Sequence, residues 1–472
     1  MAHVPGRSTD SIPPRVSVSD TNKVFSARTE RFGQGKLERK RVPRVSHASW
    51  KFSMRRHDPL EMLIASGKSR LPELLPLRYG RMSHSPFTYM RGAAAIMASD
   101  VAGGPMTGIG MQACGDCHLG NFGAFASPER RVLFDINDFD ETLPASWEFD
   151  LKRLAVSFVL LARQQGYDGS NSTAVARAML AAYRKHLHAY AGMAPLEVWY
   201  AIIDSEVLIR TAPDEATRMR RIEFEMKARR RTADNLVSKL LAQNGGQLEF
   251  KAQPPTIIRL KRDSRLARSF RKVLERYPAT LPEDRRHLLS RYRLVDVALK
   301  VVGVGSVGTR CGVALYVSDG GERLVLQVKE ASASVLEPFA GKGLHKHQGQ
   351  RVVTGQRLMQ CASDIFLGWA SDDDGHQYYV RQLRDMKTSV PYHLLKGDVL
   401  HNFADMCGWA LARAHAKSGD SARLAGYIGT TVKFDRAIAA FSTAYADQCE
   451  KDFDVFTRAI KSGRLPVERE AA

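Results

Sequence analysis

Cysteine is scarce: six in 472 residues are too few for a disulfide framework, and a reducing cytoplasm is where such a chain is expected. Long apolar runs are missing as well. No stretch reaches the roughly eighteen apolar residues that a membrane span needs. The opening M-A-H-V-P-G-R-S-T-D has no apolar signal core. No internal repeat is visible, which excludes solenoid and propeller architectures. Acidic residues are in deficit, leaving a net charge of +20. A basic chain suits nucleic acid, anionic surfaces or polyphosphate ligands.

The charge is uneven. Residues 1–45 are basic and carry Pro, Ser and Gly, with the densest run at Lys36 to Arg44. This composition predicts a disordered basic arm, either a solvated leader or a weak polyanion binder. A second basic cluster, Arg218 to Arg231, falls in a helical pattern and is expected to be a solvated helix face.

From Trp147 to Gln164 apolar residues recur at intervals of three and four, the mark of a buried amphipathic helix. Helical patterns continue to about Ser290. The texture then turns β-branched and Gly-rich, with S-D-G-G-E as a hairpin turn. Residues 291–385 are expected to form a small antiparallel sheet with one helix. Helices return over 386–472 and should pack on the mainly helical segment 46–290. The fold class expected is α+β.

Chemistry concentrates between Cys114 and Glu141, in C-G-D-C-H-L-G-N-F-G followed by R-V-L-F-D-I-N-D-F-D-E. Asp116 and Asn121 lie in a Gly-interrupted loop, and a strand then delivers Asp135, Asp138 and Asp140. One Asp to orient a hydroxyl, with an Asn and a later Asp to hold magnesium, is what phosphoryl transfer from ATP requires. Magnesium takes oxygen ligands and few protein ones.

Gly303, Gly305 and Gly308 spell G-x-G-x-x-G, but a strand and a hairpin turn follow where a dinucleotide fold needs a helix. The loop therefore bridges two antiparallel strands, as a phosphate-covering loop does. Lys329 stands on the next strand, between Leu326, Val328 and Ala331.

Together these motifs resemble the protein-kinase-like superfamily, in particular the aminoglycoside and choline phosphotransferases. Their H-G-D-x-H-x-x-N matches C-G-D-C-H-L-G-N, with Cys114 in place of the first His. The resemblance implies Asp116 as catalytic base, Asn121 and Asp138 as magnesium ligands with Asp135 as a rival, and Asp150 as a buttress of the loop. It implies Gly303, Gly305, Gly308 and Lys329 as the ATP phosphate site. The motif order is that of a circular permutation, because the catalytic loop precedes the Gly loop and Lys329. One departure stands out: the helix expected at Gln348 to Ala362 offers Gln356 and Gln360 but no Glu to pair with Lys329, and Glu337 is the nearest candidate.

Over about residues 35 to 455 the chain also resembles an uncharacterised bacterial family known as domain of unknown function 2252. V-P-R-V-S-H-A-S-W, F-T-Y-M-R-G-A-A, G-D-C-H-L-G-N-F-G and N-D-F-D-E-T-L-P carry that resemblance. The function expected is ATP- and magnesium-dependent transfer, phosphoryl or nucleotidyl, to an unknown small-molecule or protein acceptor, within a bilobal permuted fold. The alternative is a pseudokinase-like binding protein whose basic surface meets nucleic acid or an acidic partner. Cys114 and Cys117 form C-x-x-C without a second pair, so neither zinc nor redox chemistry is expected. His118 could order the loop or bind phosphate, Arg91 could reach a phosphate or form a salt bridge, and His415 is expected to be packed.

Overall fold

The apolar spacing after Trp147 produces the helix Glu148–Gln164, buried along its length as far as Ala162. A helix buried on every side, with Glu148, Asp150, Lys152 and Arg153 among its buried residues, must be enclosed by other elements. Helices Gly169–Gly192, Gly397–Ser418 and Lys433–Lys461 enclose it. The structure, a computed structural model, describes residues 26–55, 57–230, 237, 240–245, 247–383 and 390–470.

Before the central helix the chain forms two small antiparallel pairs. β1 (Gly110–Ala113) is joined by a loop to β2 (Phe122–Ala126), followed by β3 (Val132–Ile136) and β4 (Leu143–Ser146). β1 pairs with β4 and β2 with β3, so the loops 114–121 and 137–142 leave the same edge. β5 (Leu241–Asn244) and β6 (Gln247–Phe250) form a hairpin that the sequence reading missed. The sequence pattern there extends helices to about Ser290, whereas Gly245 and Gly246 between two short runs are a hairpin signal.

The β-branched segment forms an antiparallel sheet. β7 (Ile257–Arg259), β8 (Tyr292–Lys300), β9 (Cys311–Ser318), β10 (Arg323–Glu330), β11 (Gly368–Ser371) and β12 (Gln377–Gln382) lie in the order β11-β12-β10-β9-β8-β7. Five of these strands fall within the expected 291–385; β7 precedes it. The helix Gln348–Met359 packs on β11 and β12 and also touches β1. Its buried Arg351 donates to the carbonyls of Asp140, Thr142 and Ser332, tying the 137–142 loop to the sheet segment. The fold is α+β.

The disordered arm expected to run to residue 45 needs correction. Residues 1–25 lie outside the described residues, but Arg28–Arg41 is a helix packed on the helix Ser421–Ile428. Its glycines serve close packing. A Cβ on Gly35 would stand 1.9 Å from the Arg423 carbonyl oxygen, and one on Gly426 would stand 2.1 Å from the Phe32 oxygen. The basic residues have specific acceptors. Arg39 donates to the carbonyls of Gly426 and Tyr427, and Arg44 to that of Ile428, satisfying the last turn of the facing helix. Gly35→Val is therefore expected to force the helices apart and cost about 1–3 kcal/mol. A denaturant melt checks this, and an unchanged midpoint would refute the packing role.

Candidate functional site

The Asp116 loop is built from backbone donors. Asp150, in the first turn of the central helix and fully buried, accepts the N–H of Cys114 at 2.7 Å and of Gly115 at 2.9 Å. His415 Nε2 lies 3.3 Å from Asp150 and its Nδ1 2.7 Å from the Tyr183 hydroxyl, so His415 is packed, as expected. Asn121 Nδ2 donates to the Asp116 carbonyl at 2.7 Å, closing the loop on itself. Arg153, one turn along the central helix, contacts Asp116 Oδ1 through Nε at 2.6 Å and Nη2 at 2.5 Å. The Asp116 carboxylate is one-fifth exposed, and Oδ2 is the oxygen free of Arg153. His118 Nε2 stands 3.8 Å from that oxygen. Burial, then Arg91 and Arg153, hold the His118 imidazole well below its usual value, so it is neutral.

The glycine loop lies between β8 and β9, two antiparallel neighbours. Gly303 and Gly308 have φ of 65° and 89°, a backbone region that favours glycine. A Cβ on Gly305 would stand 3.1 Å from the Arg91 carbonyl oxygen and 3.8 Å from Asp116 Oδ2. The loop tip therefore sits beside Asp116. Ser306 Oγ donates to Asp140 Oδ2 at 3.2 Å. Behind the tip, Arg70 Nη1 donates to the Val307 carbonyl at 2.6 Å and Arg81 Nη1 to that of Gly303 at 2.8 Å.

Lys329 is buried on β10, between Cys311 of β9 and Tyr379 of β12. Its Nζ reaches across the cleft to Asp140 Oδ2 and lies 3.8 Å from Asp138 Oδ1. Burial works against the ammonium charge, but Asp138 and Asp140 outweigh it and hold Lys329 well above the usual lysine value. Burial likewise opposes the Asp140 charge. Lys329 and the Tyr379 hydroxyl, 2.6 Å from Oδ1, hold that carboxyl below the usual carboxylate range. Asp140 is thus the partner of Lys329, a role the sequence left unassigned. Glu337 is engaged elsewhere, accepting from Gln348 Nε2 at 3.2 Å.

Asp116, Asn121, Asp138, Lys329 and the Gly303–Gly308 loop come together, and Asp135 does not join them. It is fully buried, accepts Arg413 Nη2 at 2.7 Å and the Cys361 N–H at 2.9 Å on one oxygen, and takes its neighbour's N–H on the other. As a candidate metal ligand Asp135 is therefore corrected to a core ion pair. Asp138 is one-third exposed, and its Oδ1 is buried without a hydrogen-bond partner. It lines one cavity with Asn121, and side-chain oxygens of this kind are the hard donors magnesium takes.

Two cavities meet at Asp138, Gly303 and Ser306, which line both. The first, about 470 Å³, is polar at Lys329, Gln327 and Arg381 and apolar at Ile365, Phe366 and Leu383. The second, about 260 Å³, contains Asp116, His118, Asn121 and Arg91.

Cys114, Cys117 and Asp150 offer ligand atoms within 4.8 Å of one another, yet the Asp150 oxygens already hold two backbone N–H groups. Both cysteines are free and buried; burial pushes the Cys117 thiol up to about 11 and that of Cys114 well above the usual range. Replacing both with Ala is expected to leave folding intact and to release no metal. Stoichiometric zinc in the wild type, lost in the variant, would overturn this.

No curated protein and no solved structure matches the chain. One family model does, over residues 70–459, and the chain belongs to the family it describes, "Uncharacterized protein conserved in bacteria (DUF2252)".

Proposed function

We propose that the chain is an ATP- and magnesium-dependent phosphotransferase with a protein-kinase-like, circularly permuted arrangement. The observation that carries this reading is the reach of Lys329 to Asp138 and Asp140, far away in sequence, beneath a glycine loop whose tip borders Asp116. The first cavity suits a nucleotide, with the base toward Ile365, Phe366 and Leu383 and the phosphates toward Lys329. Gly303, Gly305 and Gly308 let the backbone approach those phosphates, and Lys329 meets their oxygens. Asp138, with Asn121, would hold magnesium, which supplies charge neutralisation of the transferring group. Asp116 orients the acceptor hydroxyl and accepts its proton, while Arg153 fixes the carboxylate. Asp140 takes the place of the absent helix Glu in positioning Lys329.

The test is calorimetry of the full chain with a non-hydrolysable ATP analogue, with and without magnesium, followed by product analysis with ATP. Magnesium-dependent binding with ADP as the product supports phosphoryl transfer; pyrophosphate as the product would point to nucleotidyl transfer instead. A wild type that binds no nucleotide under either condition overturns the enzyme reading in favour of a basic binding protein.

A further inference from the structure

The second cavity holds more positive charge than this nucleotide chemistry uses. Arg70, Arg78 and Arg91 line it, and none of them is in an ion pair among the described residues. Of the acids of the same cavity, Asp116 is engaged with Arg153 and Glu330 with Arg310, while Asp138 and Asp140 share Lys329. Glu141 accepts the Val335 N–H. The guanidiniums without a carboxylate partner lie together on the arginine wall.

Arg78 is 1% exposed. Its Nη2 donates to Ser66 Oγ at 3.2 Å and the Gly92 carbonyl at 3.0 Å, while Nε and Nη1 have no acceptor. Arg91 Nε has none either, and its guanidinium lies over the Phe87 and Tyr392 rings at 6.0 and 5.6 Å. Burial, with Arg70 adding to it, lowers Arg78 to about 9, the signature of a cation short of a counter-charge. A buried guanidinium with open N–H groups is costly. Its planar fork matches the oxygens of a phosphate or carboxylate. The backbone of Arg91 also touches the point where Gly305 and Asp116 Oδ2 meet. An anion on this wall therefore sits on the Asp116 side of the glycine loop, whereas Lys329 lines the first cavity.

We infer that the acceptor is a small hydroxylated anion, bearing a phosphate or carboxylate that seats on Arg78 and Arg91 while its hydroxyl meets Asp116. This inference rests on the phosphotransferase reading and narrows it. In the transfer, the acceptor oxygen forms the new bond to the γ-phosphorus and the bond from that phosphorus to the β–γ bridging oxygen breaks. The hydroxyl proton passes to Asp116, and ADP leaves.

The probe is inorganic phosphate, titrated calorimetrically into the full chain at low salt, with and without saturating magnesium and ATP analogue. Wild type is expected to bind phosphate beside the analogue. Arg78→Gln and Arg91→Gln are each expected to weaken phosphate by about tenfold or more and leave the analogue within a few-fold. Arg91, half-buried and without a hydrogen bond from Nε, keeps the test open should Arg78→Gln fail to fold. Turnover should favour a phosphorylated polyol over the same polyol unphosphorylated. Phosphate that competes with the analogue, or arginine variants that weaken both equally, would assign the wall to the nucleotide and overturn the inference. So would wild-type phosphate affinity in both variants, or no phosphate binding at all. Arginine-dependent phosphate binding in a chain that binds no analogue would instead overturn the phosphotransferase reading and leave an anion site standing.

Discussion

Asp116→Asn is expected to lower turnover by roughly two orders of magnitude or more while leaving magnesium-dependent nucleotide affinity within a few-fold. The asymmetry follows from where the carboxylate sits. Arg153 holds Oδ1 with two N–H groups, which leaves Oδ2 toward the Gly305 tip and the second cavity. Lys329, which the reading assigns to the phosphates, touches Asp138 and Asp140 but not Asp116. An amide of the same shape can still accept from Arg153, but it cannot take a proton from a hydroxyl. The side chain of Arg153 is only 3% exposed, so loss of its counter-charge also costs stability. Turnover must therefore be measured well below the variant's melting temperature. Near-wild-type turnover in a folded Asp116→Asn chain would remove Asp116 from the chemistry, and parallel loss of nucleotide affinity would make its role structural.

The parts of this cleft legible in the sequence are those fixed by local backbone demands. G-x-G-x-x-G could be placed between strands because a turn signal, S-D-G-G-E, follows within one strand length. Lys329 could be placed because Leu326, Val328 and Ala331 flank it with apolar side chains, as in a covered strand. What stayed hidden depends on long-range pairing. N-D-F-D-E presents acids at adjacent and alternate positions, and spacing alone does not say which one meets Lys329 from across the molecule. Asp135 and Asp138 look alike as letters, but Arg413, from a distant helix, takes the first out of the cleft. Buried arginines are equally opaque. Arg78 and Arg153 sit in helical patterns where a solvated face is the ordinary outcome, and only their packed surroundings show them to be buried cations. The N-terminal helix was misjudged because glycine and arginine counted as disorder-promoting. There the glycines admit a neighbouring helix and the arginines satisfy its last carbonyls.

Lys329→Ala is expected to weaken ATP by about tenfold or more and AMP far less, since the ammonium is assigned to oxygens of the β and γ phosphates. The single variant has a second consequence. Asp140 is about one-quarter exposed beside Asp138, and without Lys329 its charge keeps, among the described residues, the hydroxyls of Tyr379 and Ser306 and the nearby charge of Arg381. Stripping one partner from a fully buried pair costs about 3–5 kcal/mol, and less from this partly exposed one, so lost affinity could reflect a collapsed cleft rather than a lost phosphate contact. The double variant Lys329→Ala, Asp140→Ala separates the two, because it removes the stranded charge along with its partner. Stability should recover in the double variant, and ATP affinity should not. Asp138→Asn adds the metal arm: the orphaned Oδ1 loses its charge, and ATP binding should become independent of magnesium. Calorimetry of the four chains with ATP and AMP, at two magnesium concentrations, reads all of this. If the double variant recovers ATP affinity along with stability, Lys329 serves the fold through Asp140, and the phosphate role assigned to it is wrong.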